Sequence, residues 1–157
     1  MDVVESLHRW DELLKQHPDW RRDSLTLPWE DRCRSHGRHT TDGGVGFGFS
    51  LESGTVLASG DALVLEAEQL LVEIREADEA LYRIVPEATA QWAYLAYQIG
   101  NRHLALMIAD DGLYCLAEPA ARLLLEQLGV PYSSVSSPFT PALKLSGHTH
   151  VHYSKSH

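Results

Sequence analysis

The chain has 157 residues with a hydrophobic fraction of 44%, enough to pack the core of one ordinary domain or two small ones. Its 13 Lys and Arg against 22 Asp and Glu leave a formal charge of −9, which argues against general nucleic-acid binding, since that needs a basic face to meet the phosphates. Two distant cysteines, Cys33 and Cys115, make neither a disulfide framework nor a zinc knuckle, and no run approaches the ~20 apolar residues of a membrane helix.

The acidic start, Met1-Asp2-Val3-Val4-Glu5, lacks the basic and apolar regions of a signal peptide, so a cytoplasmic protein is expected. Residues 2–16 read as an amphipathic helix, with Val3, Leu7, Trp10 and Leu14 on one stripe. His17-Pro18 ends it, because the residue before a proline avoids the helical region.

From Ser24 to Arg75 the pattern turns to period two. Val45, Phe47 and Phe49 alternate with Gly46, Gly48 and Ser50, as in a half-buried strand. Turn signals at Asp42-Gly43-Gly44, Glu52-Ser53-Gly54 and Ser59-Gly60-Asp61 separate further short apolar runs, Thr55–Leu57, Ala62–Leu65 and Leu70–Ile74. A small all-β domain follows from these. Acidic residues gather between Glu52 and Glu87, opposed only by Arg75 and Arg83. A solvated face is the ordinary meaning of such a cluster.

After residue 76 the order changes. Leu81–Val85 reads as a strand, and Ala88–Ile99 as a helix burying Trp92, Leu95 and Ile99 and stopped by Gly100. Leu104–Ile108 and Leu113–Leu116 form a hairpin about Asp110-Asp111-Gly112. A second helix runs from Glu118-Pro119 to Gly129, and Val130–Val135 closes the set. The βαββαβ order is that of a ferredoxin-like domain, so the fold class is α+β. The expected division is an N-terminal extension over 1–23, a β-rich domain over 24–76, a ferredoxin-like domain over 77–146 and a His-containing tail over 147–157. The tail has too little apolar content to pack and is expected to be disordered unless it binds something.

Nine histidines in the chain are many, and four fall in the last ten residues. His148, His150 and His152 alternate as H-x-H-x-H, a spacing that lets several neutral imidazoles close on one Zn, Cu, Fe or Ni ion. His103 ends the segment Tyr97-Gln98-Ile99-Gly100-Asn101-Arg102-His103. Taken alone, a histidine after a helix end is most simply a favourable partner for the helix dipole. Cys33, His36 and His39 do not converge as a metal set, because on a strand 36 points away from 33 and 39. Gly43 to Gly48 lacks the Gly-Lys-Ser/Thr of a phosphate loop, and no G-x-S-x-G hydrolase elbow occurs.

The Gly100-Asn101-Arg102-His103 segment resembles the signature of the UreE family, nickel metallochaperones that serve urease. Other stretches match in order. They are Leu27-Pro28 with Arg32 and Ser35, then Leu51-Glu52-Ser53-Gly54 with Leu57 and Gly60-Asp61-Ala62-Leu63. Val72-Glu73-Ile74 with Ala77 and Glu79 follows, then Leu128-Gly129 and Pro138-Phe139-Thr140-Pro141. The resemblance spans roughly residues 24–145 and implies a peptide-binding-like β-domain and a dimerising metal-binding domain. It implies that His103 meets its twofold mate to hold nickel between subunits, assisted by His148, His150 and His152. It further implies a homodimer that passes nickel to the urease apoprotein and its accessory GTPase by ligand exchange. No catalysis, nucleic acid or membrane would be involved. Zinc and copper bind such imidazoles as well.

The sequence departs from the family where many relatives carry a His-Asp-His cluster, since Ala117-Glu118-Pro119 stands there. Gln98 replaces a histidine of some relatives. Cys115 is a conceivable substitute ligand, but a lone thiol in an apolar strand is ordinarily core. Two other functions compete with nickel delivery: a metal-sequestering buffer unrelated to urease, and a protein-interaction module without metal.

Overall fold

A computed structural model of the chain describes residues 1–141. The chain divides into two compact units, Met1–Asp78 and Glu79–His157.

In the first unit, β1 (Val3–Val4), β4 (His36–Thr40) and β5 (Gly46–Ser50) form a three-stranded sheet in the order β1-β5-β4. A second sheet has the order β2-β6-β7-β3, from β2 (His8–Arg9), β6 (Asp61–Leu65), β7 (Leu70–Glu76) and β3 (Arg21–Leu27). Period two sorts its side chains. Leu63, Leu65, Leu70, Val72 and Ile74 join Phe47, Phe49, Leu25 and Leu57 in one core, while Ala62 and Leu71 turn to the opposite face and pack Leu13. The helix α1 (Trp10–Gln16) supplies Leu13 and covers that face with Trp10 and Leu14. A sheet covered on both faces explains the unbroken apolar run at residues 70–72.

Two expectations are corrected here. Residues 2–9 are not helical. Val3-Val4 is β-branched and pairs in parallel with Gly48-Phe49, and Gly48 N–H donates to the Asp2 carbonyl at 2.9 Å. The helix starts only at Trp10, whose N–H is taken by the Gly60 carbonyl at 3.0 Å. Thr55–Leu57 is no strand, because its backbone is engaged by Arg32. Leu57 N–H donates to the Arg32 carbonyl at 2.9 Å, and the Leu57 carbonyl accepts from Arg32 Nη1 at 3.3 Å. Arg32 belongs to the short helix α2 (Trp29–Arg32). Its buried guanidinium lies 3.5 Å from the Glu76 carboxylate and over the Trp29 ring, which compensates a buried charge that would otherwise cost several kcal/mol.

The second unit is βαββαβ: β8 (Asp78–Ile84), α3 (Thr89–Asn101), β9 (Met107–Ala109), β10 (Gly112–Leu116), α4 (Pro119–Leu128) and β11 (Ser133–Pro138). The sheet order β11-β8-β10-β9 is the ferredoxin-like one. Leu95 and Ile99 of α3 and Ala121, Leu124 and Leu125 of α4 pack with Ile84, Leu113 and Cys115 of the sheet. Pro119 opens α4 at its first turn, where its missing N–H is no loss. The fold class is α+β, as the sequence implied. Gly100 does not stop α3: the helix continues to Asn101 and caps at Arg102.

Candidate metal centre

The ends of α3 and α4 share one hydrogen-bond pattern. In α4, Gly129 N–H donates to the Glu126 carbonyl at 3.2 Å and Val130 N–H to the Leu125 carbonyl at 3.3 Å. In α3, His103 N–H donates to the Gly100 carbonyl at 2.9 Å and Leu104 N–H to the Ile99 carbonyl at 3.4 Å. Both are Schellman ends, which need one residue in the left-handed region. In α4 that residue is Gly129, at φ 66. In α3 it is His103, at φ 58. A glycine position is thus filled by a histidine, whose ring is exposed. Leu104, half-buried against the core beside Ile99, anchors the turn from below, so the imidazole is held away from the core.

The outer face of α3 leads to this histidine. Trp92, Leu95 and Ile99 face the core. Tyr94 and Tyr97, on the opposite side of the helix, are 53% and 65% exposed, and Asn101 on the same stripe is exposed. Bare aromatic rings at this density are typical of an interface. Tyr97 opens the segment that ends at His103, but the exposure of Tyr94 and Tyr97 is fixed only by which face α3 buries. Their signal was the phase opposite Leu95 and Ile99.

The other candidates fall elsewhere. Cys115 is packed in the core of the second unit, and burial, followed by the Glu118 charge, pushes its thiol up to about 11. It therefore stays protonated at neutral pH and behaves as a core thiol. Ala117-Glu118-Pro119 borders an open groove with Tyr82, Arg122, Leu123 and Glu126, and that groove contains no histidine. His36 and His39 lie on opposite faces of β4: His36 is exposed, while His39 stacks on Phe49 at 4.5 Å between centroids. Burial, reinforced by the Arg34 charge, lowers the His39 pKa. Among the described residues no group of three or more His, Cys, Asp and Glu could hold a metal, and His103 therefore belongs to no such group there. His148, His150 and His152 lie outside the described residues.

Among the described residues no helix is long and apolar enough to cross a membrane. Residues 4–75 match the family described as UreE urease accessory protein, N-terminal domain, and residues 79–157 match its C-terminal domain. The chain is 36% identical over 132 residues to the urease accessory protein UreE of Ralstonia nicotianae, covering 84% of this chain and 62% of that protein. It is 34% identical over 145 residues to the UreE of Azorhizobium caulinodans, covering 88% and 69%. A third relative, the UreE of Chelativorans sp., is 33% identical over 134 residues, covering 82% and 84%. The chain thus spans about two thirds of the length of the first two relatives and most of the third. The two matched segments cover both compact units, and the chain belongs to the UreE urease accessory protein family.

Proposed function

We propose that this chain is a cytoplasmic nickel carrier that works as a homodimer and hands its ion to apo-urease and its accessory GTPase. It performs no covalent chemistry. His103 pairs with its twofold mate, and His148, His150 and His152 supply further imidazoles. The observation that carries this reading is His103 at a left-handed position that the twin helix end fills with glycine. Among the described residues Gln69 is the other non-glycine residue in the left-handed region, and it lies in the turn between β6 and β7. Strain kept instead at a helix end that glycine would relieve points to a task for the His103 side chain.

Two imidazoles related by symmetry form half a coordination shell, and nickel accepts nitrogen ligands readily. The exposed Tyr94 and Tyr97 beside His103 favour a surface where two copies meet. A tethered tail offers imidazoles at high effective concentration and releases them when a partner presents better ligands. Membership of a urease accessory family weighs against a buffer unrelated to urease.

Calorimetric nickel titration of three variants tests this. His103→Ala should lose the tightest class of sites, and a chain ending at Leu145 should bind fewer ions per dimer. The two changes combined should leave no binding at micromolar nickel. Tight nickel retained by the combined variant would place the ligands elsewhere and end the proposal.

A further inference from the structure

Strands β4 and β5 close one side of the first unit's core. Gly48 turns its N–H away from β4, to the Asp2 carbonyl at 2.9 Å. The pairs Gly37–Phe49 and His39–Phe47 are therefore the hydrogen-bonded ones of this ladder. Phe47 and Phe49 point into the core, and cross-strand partners share a face. His39 thus lies on the apolar face, the one titratable side chain that this strand pair turns inward.

The imidazole stacks on Phe49, 4.5 Å between centroids and 4° from parallel, and lies 6.3 Å from the Phe47 ring. Its Nε2 is buried and has no hydrogen-bond partner among the described residues. A neutral ring bears this at the smaller cost, with Nε2 as an unused lone pair. An imidazolium donates from both nitrogens, so charging the ring would bury an N–H of a cation without an acceptor. That is the costly arrangement.

The surrounding charges add to the effect. Arg34 lies over the same Phe49 ring, 5.9 Å from its centroid, where Gly37 leaves room for the guanidinium: a Cβ there would overlap it. Its charge opposes a second cation, and Asp31, paired with Arg34 at 4.0 Å, favours one by less. No other element offers the ring a counter-ion. Phe47 and Phe49 of β5 are uncharged, the core residues of β1, β3, β6 and β7 are aliphatic, and His36 and Arg38 of β4 lie on its opposite face. Burial and then Arg34 therefore hold the His39 pKa below the ordinary histidine value.

We infer that His39 is a proton-sensitive latch of the first unit: the neutral ring keeps the β4–β5 pair closed on the core, and charging the ring loosens that pair while the second unit is unaffected. The sign follows from linkage. In the unfolded chain the ring takes its proton near pH 6.5, and in the folded chain it does so only at lower pH. The closed pair is thus fully stable above about pH 6.5 and loses stability as pH falls toward the folded value. This goes beyond nickel carriage and involves no metal.

Amide hydrogen exchange of the full apo chain, followed by NMR from pH 7 to pH 5 and corrected for intrinsic rates, tests this. The opening equilibrium at Gly37, His39, Phe47 and Phe49 should rise at least threefold more in the parent than in His39→Phe, whose ring stacks but takes no proton. The amides of Leu95 and Ile99 in α3 should respond alike in both chains. Titration of the ring signals in the unaltered chain stands even if the variant misfolds: His39 should protonate at lower pH than a blocked histidine in the same buffer. The inference is overturned by any of three results. These are an equal pH response of parent and variant at the four amides, a His39 ring that titrates at or above the blocked histidine, or a difference between the chains as large in α3 as in the strand pair. The last would mean that the proton acts on the whole chain and that His39 is no latch of one unit.

Discussion

A left-handed backbone costs an L-residue about 1–2 kcal/mol, and histidine is one of the few types that visit it with any frequency. His103 carries this cost at φ 58 where Gly129 avoids it at φ 66. His103→Gly should therefore remove the strain, offset in part by the greater freedom of glycine in the unfolded chain. The apo form should be at least as stable as the parent and about 1 kcal/mol more stable than His103→Ala, which keeps the strain. Both variants should lose tight nickel. Urea unfolding followed by far-UV circular dichroism measures the order. A His103→Gly variant markedly less stable than the parent would mean that the ring packs on the fold.

At the scale of elements, Asp42 joins one strand edge to one turn. Burial tends to raise its pKa, but the hydrogen bonds from Ser24 and Thr26 outweigh it and hold the carboxyl below its ordinary value. A depressed folded pKa means that the unfolded state binds more protons near and below the ordinary carboxylate range. The resulting stability is fully present above about pH 4 and is lost as pH falls through the folded value. Asp42→Asn should destabilise the first unit at pH 7 and flatten its loss of stability between pH 5 and pH 3. Urea midpoints across that range check this, and parallel curves for parent and variant would refute it. The same side chain caps the outer edge of β3 through Ser24 and Thr26.

For the molecule as a whole, the proposed nickel site needs two copies, and the exposed stripe of α3 is the surface that would join them. Tyr94→Glu with Tyr97→Glu places carboxylates where the rings stand, without touching the core stripe of Trp92, Leu95 and Ile99. The variant should fold, sediment as a monomer and lose the tight nickel class although His103 remains. A dimeric variant with tight nickel would assign the subunit contact to another surface. Acidic substitution at an apolar interface commonly costs several kcal/mol through unpaired buried charge, enough to dissociate a dimer of ordinary affinity.

Local pattern determined much of this protein. The alternation around Phe47 and Phe49, the helical stripe of Leu95 and Ile99, Pro119 and Gly129 at the ends of α4 and the Asp110-Asp111-Gly112 turn are each set by neighbours a few residues away. They were legible for that reason, and their order implied the ferredoxin-like unit. What required tertiary structure was every choice made by a distant partner. Val3-Val4 is a strand because Gly48 and Phe49 lie beside it, against a stripe that suited a helix equally well. Leu57 stays out of a sheet because Arg32, 25 residues earlier in the chain, claims both of its backbone groups. The candidate site divides in the same way. His103 stood out through its motif, but its left-handed backbone and the exposure of Tyr94 and Tyr97 are products of how α3 ends and which face it buries, and side-chain identity alone does not encode either.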